Sequence, residues 1–420
     1  MVSYCTASER TIRRKESEIL PPDTRSPRVI RLLGLLLGAC LVLITVVGAS
    51  PQTTAKNTPA KAASKKTPVK KTPVAKAAVA KPKPAPRRRA SSPWKEPTYA
   101  DSTEGDHIDG EDLVVRRAAV EALGPYNGSV VVVDPASGRV LTIVNQKVAF
   151  SSGFQPCSTI KVVAALAALS ESLVDRNTLI RLYGRTKMDM TEALAHSNNV
   201  YFANLGQKLG FDRVLYYARL FGLGERAGFA ISDEQAGLLP DAPPRDGGVG
   251  MMTSFGSGIS VTPLELAALM SAVANGGTLY YLQYPRNEEE IAGFVPRVKR
   301  QLDIESFIPE IKPGMMAAVE YGTARRANFD PNEPVYAKTG TCTDSRTPTH
   351  LGWFGSFNDT GKSKLVVVVL LTGGKTASGA LASAVGGSVY KTLSRENYFA
   401  QTRPTISPAA LVSTRNCCYK

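Results

Sequence analysis

Histidine is scarce in this 420-residue chain: there are three, His107, His196 and His350. No spaced ligand set accompanies them, so no metal site is expected. No internal repeat is present, which excludes a solenoid or propeller architecture. Acidic residues are missing altogether from 51–95, a stretch built almost entirely of Lys, Pro, Ala, Thr and Ser. Such a segment cannot bury enough apolar surface to offset its ordering entropy, so a disordered linker is predicted over 50–105.

That linker also accounts for the charge. The chain carries a formal +15. Residues 1–31 hold seven basic and four acidic side chains, and 51–95 hold thirteen basic and none acidic. These two segments supply a surplus of sixteen, leaving about −1 for residues 96–420. The basic charge is therefore no evidence for a nucleic-acid surface on the folded part, and no nucleic-acid partner is expected.

Between the two basic segments, 32–49 is an uncharged, strongly apolar run. As a helix it spans roughly 27 Å, close to the ~30 Å of a bilayer core. Arg25, Arg28 and Arg31 precede it, so the positive-inside rule makes 1–31 a cytoplasmic tail. The run reads as a transmembrane anchor or, given Val47-Gly48-Ala49, as a cleaved signal segment. Either way the rest of the chain lies outside the cytoplasm, tethered to the inner membrane if the segment is kept. There are six cysteines. Cys5 falls in the tail, Cys40 in the apolar run and Cys417 and Cys418 in a C-terminal tail over 401–420; only Cys157 and Cys342 lie within the body of the chain.

In the remainder, 106–400, the pattern predicts one mixed α/β (α+β) domain. Helical spacing of Val115, Ala118, Ala119, Ala122 and Leu123 marks a helix over 111–123. Segments 129–133 and 140–144 flank a turn and read as a hairpin. A helix opening at Ser158 is apolar all round over 162–169 and belongs in a core. Further helices are predicted at 190–197, 200–209, 211–221 and 263–275. Strands follow at 335–341, 350–357 and 364–371, then a last helix over 379–393. Strands at both ends around a helical block suit one sheet whose strands come from distant parts of the chain.

Three short stretches carry chemistry. A serine hydroxyl is a poor nucleophile until a base takes its proton, and Ser158 and Lys161 stand three apart, on one face of a helix. Lys161 can act as that base only if neutral, which burial and a neighbouring cation would favour. Ser197 and Asn199 stand two apart, so on an extended turn both enter one cleft; a helix N-cap is the plain alternative. His196 makes no Ser-His pair with Ser197, because adjacent side chains diverge on a helix. Lys338-Thr339-Gly340-Thr341 reads as a strand, with Gly340 leaving room for substrate against the backbone.

In this order, separated by roughly 40 and 140 residues, these stretches resemble the S-x-x-K, S-x-N and K-T-G signatures of penicillin-binding proteins and serine β-lactamases. The resemblance covers roughly 106–395 and includes 254–263, which looks like the segment leading into a late helix of transpeptidase domains. It implies the penicillin-recognition fold, an antiparallel sheet flanked by helices with an inserted all-helical subdomain. It also implies Ser158, Lys161 and Ser197 as catalytic residues, and Asn199, Lys338, Thr339, Gly340 and Thr341 as the substrate-binding set. Lys338 would be the cation beside Lys161, and the Ser158 and Thr341 N–H groups the oxyanion hole. No cofactor is implied.

Peptidoglycan stem peptides are the substrate the resemblance implies, with β-lactams as covalent inhibitors. Two other functions stay open: a serine β-lactamase, and a non-catalytic β-lactam-binding sensor or scaffold. No Glu-x-x-Leu-Asn segment of the class A β-lactamase kind is present, and neither is a glycosyltransferase-type segment. Cys157 and Cys342 adjoin the first and third motifs, at positions disulfide-bonded in some class A β-lactamases. A Cys157–Cys342 disulfide is therefore expected, with two small buried thiols as the alternative.

Overall fold

Val130 to Val133 and Val366 to Val369 are runs of β-branched residues without polar alternation, the pattern of strands buried on both faces. In the computed structural model these two runs pair antiparallel, Val130 opposite Val369 and Val133 opposite Val366, at the centre of a five-stranded sheet. Across the sheet the order is Arg139–Val144, Gly128–Asp134, Val366–Gly373, His350–Asn358 and Val335–Thr343, and every neighbouring pair is antiparallel. The structure describes residues 93–400 apart from 329, 345, 361 and 362. The expected cytoplasmic tail, the apolar run 32–49, most of the linker and the C-terminal tail lie outside the described residues. Among the described residues no helix is long and apolar enough to cross a membrane.

The twofold alternation of strand side chains divides the core in two. Val130, Val132, Val367 and Val369 face one cluster with residues of the helices Leu113–Leu123 and Gly379–Arg395. Val131, Val133, Val366 and Val368 face the other, with the central helices. A register shift between Val132 and Val133 lets Val140 and Ile143, three apart, both face the second cluster while Leu141 and Val144 face the first. The antiparallel sheet flanked by helices predicted from sequence is thus present. The strand expected from 364 starts at Val366, because Leu365 N–H instead donates to the Asn358 side chain at 2.7 Å and closes the preceding turn.

Everything between Arg139–Val144 and Val335–Thr343 forms the insert. Its hub is the helix Lys161–Ser170, in which every residue from Lys161 to Leu169 is buried, as an all-round apolar helix requires. Around it stand Asn199–Leu209, Phe211–Leu220, Gly248–Phe255 and Ile308–Glu320. The insert is not purely helical. Two ribbons, Ile180–Arg181 with Lys187–Met188 and Thr278–Tyr280 with Val298–Gln301, are too short for alternation to reveal them. The helix Ile308–Glu320 also escaped prediction, because it carries Pro313 in its interior. Tertiary packing overrides that: Ile311, Met315 and Ala318 are buried, and at Gly314 an added Cβ would lie 2.7 Å from that of Leu194.

The linker expected to run disordered to 105 gives way earlier, at the described residues 93–105. Lys95 N–H bonds Pro348 O, Asn127 N–H bonds Thr98 O, and Tyr99 bridges Tyr126. Trp94 lies 6.0 Å, ring to ring, from His350. An aromatic residue is what the Lys/Pro/Ala stretch before this piece lacks, and the half-buried Trp94 gives it surface to bury, while Tyr99 stays exposed.

Glycine also sets how closely the last helix approaches. Cβ atoms at Gly386 and Gly387 would lie 2.4 Å from the Phe354 ring and 2.2 Å from Ala327 O. Gly387→Ala is therefore expected to cost about 1–3 kcal/mol through overpacking against rigid backbone, against the gain of a few tenths to ~1 kcal/mol that alanine brings to an open helix site. Equilibrium denaturation of the two proteins measures it.

Candidate active site

The first motif is a turn before it is a helix. Cys157–Ile160 is a 3-10 turn, and the α-helix begins at Lys161. At three residues per turn, positions i and i+3 eclipse, which stacks the Lys161 side chain toward Ser158 more directly than the α-helix expected from sequence. The Lys161 Nζ lies 2.9 Å from Ser158 Oγ. Ser158 Oγ also lies 3.4 Å from the carbonyl of Ser254, and Ser158 is 9% exposed.

The second motif sits on the turn between Met190–Ala195 and Asn199–Leu209. Its two sequence-level readings both hold, on different residues. Asn198 is the N-cap, accepting from Tyr201 N–H at 2.9 Å, while Ser197 and Asn199 face the lysine. Lys161 Nζ donates to Asn199 Oδ1 at 2.6 Å, to Ser197 O at 2.8 Å and lies 3.0 Å from Ser197 Oγ. His196 pairs instead with Glu192, 3.2 Å away on the preceding helical turn.

The third motif lies on the edge strand Val335–Thr343. Lys338 is fully buried, and its Nζ donates to Ser197 Oγ at 2.8 Å. One serine hydroxyl thus stands between two lysine amines. Thr339 Oγ1 donates to Thr323 Oγ1 at 2.7 Å, and Thr341 Oγ1 accepts from Gly379 N–H at 2.8 Å. The missing side chain of Gly340 serves packing within the protein. A Cβ there would lie 2.9 Å from Pro156 O and 3.1 Å from Cys157 Cβ, so its missing side chain lets the nucleophile turn abut the strand. The same junction is closed covalently by the disulfide between Cys157 and Cys342.

Backbone conformation is costly at two of these points. Cys157 and Ser197 are non-glycine residues with φ of 51° and 54°, in the left-handed region that costs of order 1 kcal/mol or more. Each holds a motif side chain where a relaxed backbone would not put it.

Electrostatics follow from burial. Lys161 is pushed down to about 6, mostly by burial and then by the charge of Lys338. Lys338 is pushed down to about 7 by burial. Among the described residues no carboxylate is hydrogen-bonded to Ser158, Lys161, Ser197 or Lys338, so nothing pulls either amine back toward its usual range. A Lys161 amine with that environment is half neutral near pH 6 and can accept a proton at pH 7. No group of His, Cys, Asp and Glu among the described residues is arranged to hold a metal ion.

The structure therefore brings together all eight residues of the expected site and the expected cysteine pair. Three partners went unforeseen: Ser254, Thr323 and Gly379. Ser254 opens the 254–263 segment that the resemblance had singled out. Thr323 and Gly379 touch the site through tertiary approach and left no local signal.

The family model for the penicillin-binding protein transpeptidase domain matches residues 128–391. The chain belongs to this family. Stage V sporulation protein D of Bacillus subtilis is 29% identical over 252 residues, covering 52% of this chain and 39% of that protein. Peptidoglycan D,D-transpeptidase PbpA of Mycobacterium tuberculosis is 26% identical over 335 residues, covering 63% and 67%. Peptidoglycan D,D-transpeptidase MrdA of Haemophilus influenzae is 25% identical, covering 65% and 54%. The chain spans 28–39% of the length of the first three curated relatives it matches. The D,D-transpeptidase domain of a peptidoglycan glycosyltransferase from Eggerthella lenta shares the penicillin-binding fold, with TM-score 0.54 at 19% identity over 68% of this chain and 82% of that one.

The disulfide of this family member closes a loop across a sequence separation of 185. Replacing Cys157 and Cys342 together by alanine is expected to lower unfolding free energy by about 2–5 kcal/mol. Denaturant titration of oxidised wild type against the double variant measures the loss.

Proposed function

We propose that the chain is a serine-type D-alanyl-D-alanine transpeptidase that cross-links peptidoglycan stem peptides through an acyl intermediate on Ser158. One observation carries this reading: an amine depressed to about 6 stands 2.9 Å from a buried serine hydroxyl. Ser158 Oγ attacks the carbonyl of the penultimate D-Ala while its proton passes to neutral Lys161. The N–H groups of Ser158 and Thr341 receive the oxyanion; a donor of this kind is worth about 2.7–4 kcal/mol of barrier. Ser197, hydrogen-bonded to both lysines, passes a proton to the departing D-Ala nitrogen as the C–N bond breaks. An acceptor amine then attacks the ester and releases Ser158; water in its place gives carboxypeptidase chemistry. Lys338, Thr339 and Thr341 hold the terminal carboxylate, and Asn199 the stem-peptide amide. A β-lactam follows the same first step and stays on Ser158.

Two relatives bearing the name peptidoglycan D,D-transpeptidase support this substrate class. The segments outside the described residues complete the proposal: 32–49 anchors the chain in the inner membrane, and the basic linker carries the domain toward the wall. The disulfide favours a second reading, a β-lactamase, because its analogue stands in enzymes of that activity. Against it, fast hydrolysis of the class A kind needs a carboxylate to orient water, and among the described residues none is hydrogen-bonded at Ser158 or Lys161.

Labelling with a fluorescent penicillin is expected to give a long-lived adduct on wild type and none on Ser158→Ala. Label that clears within seconds would favour the β-lactamase, and no label on wild type would sink the assignment. Acylation needs Lys161 neutral and Lys338 charged. Its efficiency should therefore rise with pH through about 6 and fall as pH passes about 7. A second-order acylation constant that stays flat from about pH 5 to about pH 8 would contradict these roles.

A further inference from the structure

The segment Tyr321–Ala324 follows the helix Ile308–Glu320 and belongs to none of the three motifs. It is nevertheless bound to the third of them and to the helix that leads into the second. Thr323 N–H donates to Ala195 O at 3.1 Å, at the end of the helix that leads into Ser197. Tyr321 Oη donates to Glu192 on the same helix at 2.7 Å. Gly322 permits the approach, since a Cβ there would lie 2.2 Å from Ala195 O. From this fixed backbone the Thr323 hydroxyl meets Thr339 Oγ1, within the third motif, at 2.7 Å. A single residue therefore joins the helix end before Ser197, through its backbone N–H, to the carboxylate-facing strand, through its hydroxyl.

We propose that Thr323 is a positioning residue for carboxylate recognition, acting through Thr339; this rests on the reading of the site given above. Both groups are hydroxyls, so each can donate or accept. Without substrate, Thr339 donates to Thr323. When a carboxylate arrives, the Thr339 proton turns to the anion, and Thr323 donates to Thr339 in its place. Thr339 thus keeps one internal hydrogen bond in either state, and a donated bond polarises the next one outward. No bond is made or broken covalently; two hydroxyl protons rotate. Valine at 323 keeps the shape and removes both roles, leaving a 5%-exposed Thr339 hydroxyl without its partner.

The test compares benzylpenicillin with its methyl ester, which lacks the anion, as acylating agents of wild type, Thr323→Val and Thr323→Ser. Hydrogen bonds to charged groups are about twice as strong as neutral ones, so Thr323→Val should slow acylation by the acid roughly tenfold and by the ester roughly threefold. The acid-over-ester preference then shrinks about threefold, while Thr323→Ser retains it. An unchanged preference in Thr323→Val overturns the inference, as does a serine variant that loses preference as valine does. Should Thr323→Val fail to fold, Thr323→Ser still decides: wild-type preference supports the hydroxyl, and a collapsed one refutes it. Wild type that acylates with neither compound refutes the functional reading itself and this inference with it.

Discussion

Two lysine amines share one serine hydroxyl inside a protein core, and the rest of the domain is arranged to make that tolerable. Lys161 and Lys338 are both fully buried, at 2.9–3.0 Å and 2.8 Å from serine hydroxyl oxygens, and among the described residues no carboxylate is hydrogen-bonded to either. Burying an unpaired ammonium is so expensive that the group gives up its proton instead. The depressed amines are thus a consequence of packing. The apolar hub helix that opens on Lys161 is what makes it a base.

Holding that arrangement costs backbone strain at Cys157 and Ser197, and the surrounding structure has to over-determine both residues. At Cys157 the disulfide and the Gly340 contact do so from the strand side, and the Pro156 carbonyl, bonded by Thr159 N–H and its hydroxyl at 2.7 Å, from the turn side. At Ser197 the constraint comes from the Asn198 cap below and the Thr323 bond to Ala195 beside it. Rigidity of this kind is what serine acylation demands, since the nucleophile, base and relay must coincide within a few tenths of an ångström.

Much of this was legible in the chain because it is local. Spacing of three put Ser158 and Lys161 on one turn, and the apolar runs at 129–133 and 364–371 marked strands. What was not legible came from tertiary approach. The helix Ile308–Glu320 forms despite Pro313 because its buried face against Met190–Ala195 outweighs one lost hydrogen bond. The packing role of Gly340 was hidden for the same reason: sequence shows that a side chain is missing, and only the fold shows that Pro156 and Cys157 pack there. Thr323 has no signature of its own, since a threonine after a glycine is an ordinary turn until Thr339 arrives from across the sheet.

The covalent tie between Cys157 and Cys342 has a topological side. It closes the chain into a ring that contains all eight expected site residues, together with Ser254 and Thr323; of the partners described above only Gly379 stands outside. The active-site machinery is therefore enclosed in one macrocycle, with the two central strands of the sheet donated from either side of it. A single peptide-bond cleavage anywhere in that ring opens it without releasing a fragment. Every site residue stays attached to one molecule until the sulfur bridge is reduced as well.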